Sequence, residues 1–370
     1  MHRARKATAI GILAVAAACQ RPDGAGPIPI AQVRITPPRI ALAVGDSLQI
    51  HAEVRDARGT LVHPDLQWWT SDTIVARVGP GGVLVGKRSG AALVNATIAE
   101  VTGRADVTVA PAILVGAGDI ADCASTGDEA TAALLAAFSG VVFTAGDNVY
   151  ESGTPEAFVQ CYDPSWGRWK GRTRPVPGNH EYLTPGAAGY FAYFGANAGD
   201  PARGYYSYDR APWHIVALNS SVDLRAGSPQ EQWLRADLAA HPTACTLAYW
   251  HFPRFSSGFQ GNIPELEPIW QALYEAGADV IVVGHDHDYE RFAPQSPAGL
   301  PDSGRGIRQF VVGTGGKSLL PFTAIAANSE VRNNTTYGVL LLKLYAGHYE
   351  WEFVPAQPDG FTDAGSDPCH

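Results

Sequence analysis

The sequence predicts two domains of different class, an all-β sandwich over residues 32–110 followed by an α/β layered domain over residues 112–370. Three observations carry this reading. A chain of 370 residues, 46% of them hydrophobic, has material for two cores rather than one. The first segment alternates apolar and polar residues between closely spaced turns, the pattern of half-buried strands. Beyond Pro111 the pattern changes to unbroken apolar runs separated by amphipathic stretches, and several runs end abruptly in residues that carry oxygen or nitrogen donors.

Residues 1–18 combine a basic start (Arg3, Arg5, Lys6) with an apolar run and small residues directly before Cys19. This is the pattern of an export signal, removed from the mature chain. It resembles a bacterial lipoprotein signal, which implies a lipid on Cys19 as the first mature residue. Ala16 stands where such signals usually carry Leu, so plain secretion is the alternative. Either way the protein is expected to be exported, as a cell-envelope lipoprotein or a secreted protein, with no membrane contact except through that lipid. No other apolar run approaches the roughly 20 residues of a membrane span.

Residues 19–31, rich in Pro and Gly, read as a linker. From residue 32 to 110 every signal is for strands: Leu48, Ile50, Ala52 and Val54 alternate with polar neighbours, and Asp56-Ala57-Arg58-Gly59 and Gly79-Pro80-Gly81-Gly82 mark turns. Short strands at regular spacing around a central Trp point to a sandwich. His51 and His63 stand apart and read as surface residues.

In the second segment, residues 128–138, 230–240 and 264–276 read as helices, the first and third with acids in their opening turns, where the helix dipole favours them. Residues 337–345 and 349–354 read as an antiparallel strand pair. The result is a layered β-sandwich flanked by helices rather than a doubly wound sheet. The net charge of -9 argues against a nucleic-acid partner, which normally meets a basic face.

Chemistry is concentrated at five strand ends. Gly118-Asp119 follows the run 113–117, Gly146-Asp147 with Tyr150 follows 141–145, and Gly178-Asn179-His180-Glu181 follows Pro175-Val176-Pro177. His251 follows 247–250, and Gly284-His285-Asp286-His287 follows 280–283. Ligands gather beyond the carboxyl ends of strands buried on both faces, and each of these ends offers carboxylate, amide, phenol or imidazole donors. One such end is an ordinary turn; five are a constellation. Cys123, Cys161, Cys245 and Cys369 are even in number and, in an exported chain, make two disulfides. Three pairings are possible, and Cys123–Cys161 is favoured because both follow donor-bearing strands.

Two resemblances follow from these motifs. The stretch Trp69-Thr70-Ser71-Asp72-Thr73-Ile74-Val75-Ala76-Arg77-Val78 with Gly82-Val83-Leu84-Val85-Gly86 resembles a group 2 bacterial Ig-like domain. That implies a spacer, or a module that contacts cell wall, carbohydrate or protein. From about residue 112 onward, the five blocks in their order resemble a calcineurin-like metallophosphoesterase of the purple acid phosphatase-like branch. The resemblance implies two metal ions, Fe(III) paired with Fe(II), Zn or Mn. It places Asp119, Tyr150 and His287 on one ion, Asn179, His251 and His285 on the other, and Asp147 between them. A phenol whose ordinary pKa is near 10 binds as phenolate only to a strongly Lewis-acidic ion, which points to ferric iron.

The activity so implied is hydrolysis of phosphate esters, most directly phosphomonoesters of small molecules, by a metal-bound hydroxide. His180 is the implied catalytic group beside the phosphate, with Glu181 or another carboxylate orienting it. Relatives carry a second histidine directly after the ligand histidine; Phe252 stands there. Glu290 and Arg291 read equally as an ion pair or as substrate contacts. The alternatives are a phosphodiesterase or nucleotidase on the same metal core, and a non-enzymatic surface adhesion protein. Gly313-Thr314-Gly315-Gly316-Lys317-Ser318 ends like a phosphate-binding loop, but Val311 stands where that motif requires glycine, so it is set aside. His214, His241, His348 and His370 read as structural.

Overall fold

A computed structural model of the chain describes residues 28–243 and 245–370. The export signal, Cys19 and most of the expected linker lie outside the described residues. The first strand, Ile30–Thr36, begins two residues inside the stretch read as linker.

The N-terminal strands form small sheets around one apolar core. Ile30–Thr36 pairs with His51–Asp56, and Val101–Ala110 lies between Arg39–Ala43 and Gly90–Ile98. Along the second half of Val101–Ala110 buried and exposed residues alternate strictly, so one face contributes Ala105, Val107 and Val109 to the core and the other meets water. Trp68 packs against this core, while Trp69 is largely exposed.

Pro111 separates Val101–Ala110 from Ala112–Ala117, the strand that opens a different architecture. A six-stranded sheet runs, in spatial order, Thr173–Val176, Val141–Ala145, Ala112–Ala117, Gly338–Tyr345, His348–Pro355 and Asp363–Pro368. A seven-stranded sheet runs Tyr206–Arg210, Trp213–Ala217, Cys245–Tyr249, Val280–Val283, Arg308–Val312, Tyr289–Phe292 and Ser329–Asn333.

Side-chain alternation explains how these sheets stack. Ile215, Leu247, Tyr249, Val280 and Val282 face Leu114, Phe143, Leu340 and Leu342 of the other sheet. Their sequence neighbours Val216, Ala248, Ile281 and Val283 face the opposite way, onto Leu234 and Leu238 of the helix Pro229–Ala240 and Ile269, Trp270 and Leu273 of Glu267–Glu275. Both faces of the central strands are therefore covered, which is why they are apolar at every position. Burying one such side chain stabilises the fold by about 1.5–3 kcal/mol.

Two disulfides tie loops to this frame. Cys123 pairs with Cys161 and Cys245 with Cys369, with Cα atoms 5.0 and 5.4 Å apart. Among the described residues no helix is long and apolar enough to cross a membrane.

Candidate metal centre

The five donor-bearing turns converge because their strands point the same way. Ala112–Ala117, Val141–Ala145 and Thr173–Val176 are parallel neighbours in one sheet, and Cys245–Tyr249 and Val280–Val283 are parallel neighbours in the other. Their carboxyl ends meet at one edge of the sandwich. Glycines before the donors let the turns approach. A Cβ on Gly146, whose φ is +82°, would lie 2.6 Å from the His251 ring, and one on Gly284 would lie 2.6 Å from Asp119 Oδ2.

The donors fall into two groups with one residue between them. In the first, the Tyr150 hydroxyl donates to Asp119 Oδ1 at 2.8 Å and lies 3.2 Å from His287 Nε2. In the second, His251 Nε2 lies 3.0 Å from Asn179 Oδ1 and 3.2 Å from His285 Nδ1. Asp147 Oδ2 touches both, 3.1 Å from the Tyr150 oxygen and 3.2 Å from His251 Nε2. The remaining carboxylate oxygens are fixed from behind: Asp119 Oδ2 accepts the His285 N–H and Asp147 Oδ1 the His180 N–H.

Protonation tests whether this set fits cations. His251 Nδ1 donates to the Ala145 carbonyl at 2.9 Å, and His287 Nδ1 to the Ser318 carbonyl at 2.9 Å, so both rings turn Nε2 toward the cluster. His251 Nε2 then faces an amide oxygen, a carboxylate oxygen and an imidazole nitrogen, all capable of offering lone pairs. Something positive has to stand among them. Without a metal a proton does so: burial alone would lower His251, but the Asp147 carboxylate pushes it up to about 9, while burial and the His251 charge push His285 down to about 3. Burial and the two carboxylates likewise raise Tyr150 well above the usual phenol range. The donor set, oxygens and imidazoles without a free thiol, fits two metal ions.

The comparisons agree with this geometry. Residues 117–289 match the family model for calcineurin-like phosphoesterases, and residues 29–109 match that of the group 2 bacterial Ig-like domain. The first match takes in all five donor-bearing turns, from Asp119 to His287. Purple acid phosphatase 23 of Arabidopsis thaliana is 31% identical over 162 residues, which are 37% of this chain and 35% of that protein. Purple acid phosphatase 15 of the same plant is 30% identical over 166 residues, covering 38% and 31%. The chain thus spans about a third of the length of these curated relatives. Among solved structures, a purple acid phosphatase from yellow lupin (Lupinus luteus) seeds superposes with a TM-score of 0.59 at 16% identity, covering 92% of this chain and 74% of that one. A dimetal phosphatase from Danio rerio gives a TM-score of 0.51 at 14% identity, covering 70% and 100%.

Around the phosphoesterase donors the structure departs from the sequence reading in three places. Glu181 does not orient His180. Fully buried, it accepts the backbone N–H groups of Asn148, Val149 and Gly178, bracing the turns that carry Asp147 and Asn179. The partner of His180 is the Glu151 carbonyl, 2.6 Å from Nδ1, which leaves Nε2 facing the cleft 3.9 Å from Asp147 Oδ2. Glu290 and Arg291 do not pair with each other: Glu290 accepts from Ser257 and Ser329, and Arg291 binds Asp363 and Glu330.

The third departure is the set-aside 313–318 stretch. Lys317 Nζ sits 4.5 Å over the Tyr150 ring and pairs with Asp122 at 2.8 Å and with Glu151. Its N–H also holds the Asp119 carbonyl at 2.9 Å. One residue thereby ties the Asp119 and Tyr150 turns together, and the next supplies the carbonyl that orients His287. The available signal was that Gly313 follows Arg308–Val312, another strand parallel to Val280–Val283.

Proposed function

We propose that the protein hydrolyses phosphate esters, most directly phosphomonoesters of small molecules, at a two-metal centre. The contact of Asp147 Oδ2 with a member of each donor group carries the reading, because a shared carboxylate is what two adjacent cations require. Asp119, Tyr150 and His287 would hold one ion, Asn179, His251 and His285 the other, and Asp147 both. Bound there, the ions supply Lewis acidity to the phosphate oxygens and to the attacking water.

The chain's own residues do the rest. His180 is quarter-exposed over the cluster, its Nδ1 proton engaged by the Glu151 carbonyl, so Nε2 is the atom that delivers a proton to the leaving oxygen. Glu181 keeps the Asp147 and Asn179 turns in register, and Lys317 keeps the Asp119 and Tyr150 turns so. A phenol as ligand favours a strongly Lewis-acidic ferric ion beside Tyr150, with Fe(II), Zn or Mn as the second ion.

Two disulfides in one chain suit an oxidising compartment, which supports export, with a lipid on Cys19 as the anchor and the Ig-like strands as spacer or wall contact. The fold alone would not settle catalysis, since GAP50, the anchor in the inner membrane complex of Plasmodium, superposes with a TM-score of 0.57 at 12% identity. The donor set favours an enzyme over an adhesion protein.

The test is hydrolysis of p-nitrophenyl phosphate by the wild type and by Asp147→Ala. The variant is expected to lose more than about 100-fold in rate, beyond what loss of an outer hydrogen-bond partner of a metal ligand costs, and to hold less metal per chain. Unchanged hydrolysis would remove the two-metal reading.

A further inference from the structure

A second group of histidines and carboxylates lies at the other end of the same sheet. His214 is buried near the start of Trp213–Ala217, in register with Thr246 of Cys245–Tyr249. Thr246 precedes His251 by five residues along an extended chain, so His214 sits roughly 16 Å from the phosphoesterase centre. Nothing in the proposed reaction uses it.

Two elements bring partners to this ring. From the neighbouring strand, directly across in register, Asp209 Oδ1 lies 2.8 Å from His214 Nδ1. From the helix Pro229–Ala240, Asp237 Oδ2 lies 2.8 Å from His214 Nε2. His241, one turn after Asp237 and therefore on the same helix face, stacks on His214 with ring centroids 4.5 Å apart and planes 9° from parallel. The ligand atoms of His214, Asp237 and His241 all lie within 4.8 Å of one another.

We propose that His214, Asp237 and His241 are a third metal site, of the zinc type, joining the helix Pro229–Ala240 to the sheet. Several features favour a cation here. Two stacked imidazoles cannot both be cationic without repulsion, so at least one ring is neutral and keeps a lone pair on one nitrogen. Asp209 accepts the Nδ1 proton of His214 and turns Nε2 inward, the arrangement in which a carboxylate orients a metal-binding histidine. Ser207 donates to Asp237 Oδ1 at 2.8 Å and orients the second ligand in the same manner. His241 Nδ1 donates to the Asp237 backbone carbonyl at 2.8 Å, which fixes the ring over His214 and leaves Nε2 as the nitrogen that keeps a lone pair. Two imidazole nitrogens and one carboxylate oxygen leave a fourth tetrahedral position for water, and His241, with 40% of its side chain exposed, leaves that position open to solvent.

The experiment compares wild-type protein with His241→Ala, the most exposed ligand. Both chains are stripped with chelator, equilibrated with Zn2+ alone, desalted and assayed for zinc per chain by mass spectrometry. The wild type is expected to retain one zinc ion more than the variant, and its Tm to rise further on zinc addition. Equal zinc counts overturn the proposal and leave the cluster a hydrogen-bonded ion group. The two chains share an intact phosphoesterase centre, so the difference is independent of how that centre loads and of whether phosphate esters are its substrates. Should His241→Ala fail to fold, Asp237→Asn, which keeps the side chain's size, provides the same count.

Discussion

The Ig-like strands and the phosphoesterase domain use their acids in opposite ways. In the first region strands expose one face, and a buried acid such as Asp56 closes a turn by accepting the N–H groups of Arg58 and Thr60. In the second region strands such as Val141–Ala145 are buried on both faces, and polar chemistry is displaced to their ends. There Asp119 and Asp147 each give one oxygen to a backbone N–H and aim the other at shared donors. The difference teaches that covering both faces of a sheet is what concentrates function at its edge.

The largest test of that contrast is His180→Ala. With His180 serving as proton donor rather than ligand, activity on an alkyl phosphate is expected to fall by about 100- to 10,000-fold with metal content unchanged. The loss on p-nitrophenyl phosphate, whose leaving group needs little protonation, is expected to be smaller. Steady-state kinetics on the two esters check this, and equal losses would show that His180 acts through the metals.

A buried acid of the phosphoesterase domain outside the cluster sharpens the comparison. Asp128 is buried, accepts the Ser165 hydroxyl at 2.5 Å, and is pushed up to about 7 chiefly by burial. An acid whose folded pKa is raised contributes stability that is fully present below the unfolded value and is lost as pH rises toward the folded one. Urea unfolding is therefore expected to show the wild type losing stability relative to Asp128→Asn as pH rises from about 4 toward about 7. The smallest effect belongs to the Ig-like strands: Ile74, 63% exposed, is expected to tolerate Ile74→Ser within about 0.5 kcal/mol and without change in hydrolysis.

Much of this organisation was legible in the sequence for a physical reason. Strands covered on both faces must be apolar throughout, so the first donor after each run stands out, and Asp119, Asp147, Asn179, His251 and His285 could be read one by one. The favoured Cys123–Cys161 pair is the one the structure makes. The supports were illegible because they join residues far apart in the chain. Glu181 serves backbone groups rather than the adjacent His180, and Lys317 reaches Asp122 and Glu151 across most of the domain. His214 is likewise a lone histidine in the sequence, and only the pairing of Tyr206–Arg210 with Trp213–Ala217 and the packing of a helix assemble its neighbours.

Asp119, Asp147 and His285 share one further property: their φ angles are +59°, +46° and +71°, in the left-handed region that side-chain-bearing residues rarely adopt. Each such residue costs on the order of 1–3 kcal/mol. Glycine would relieve that cost at all three positions and remove a donor at each. Ala99, Ala187 and Asn328 share this backbone outside the cluster, so any programme to harden the protein with glycine has to hold the three donor positions fixed and turn to those.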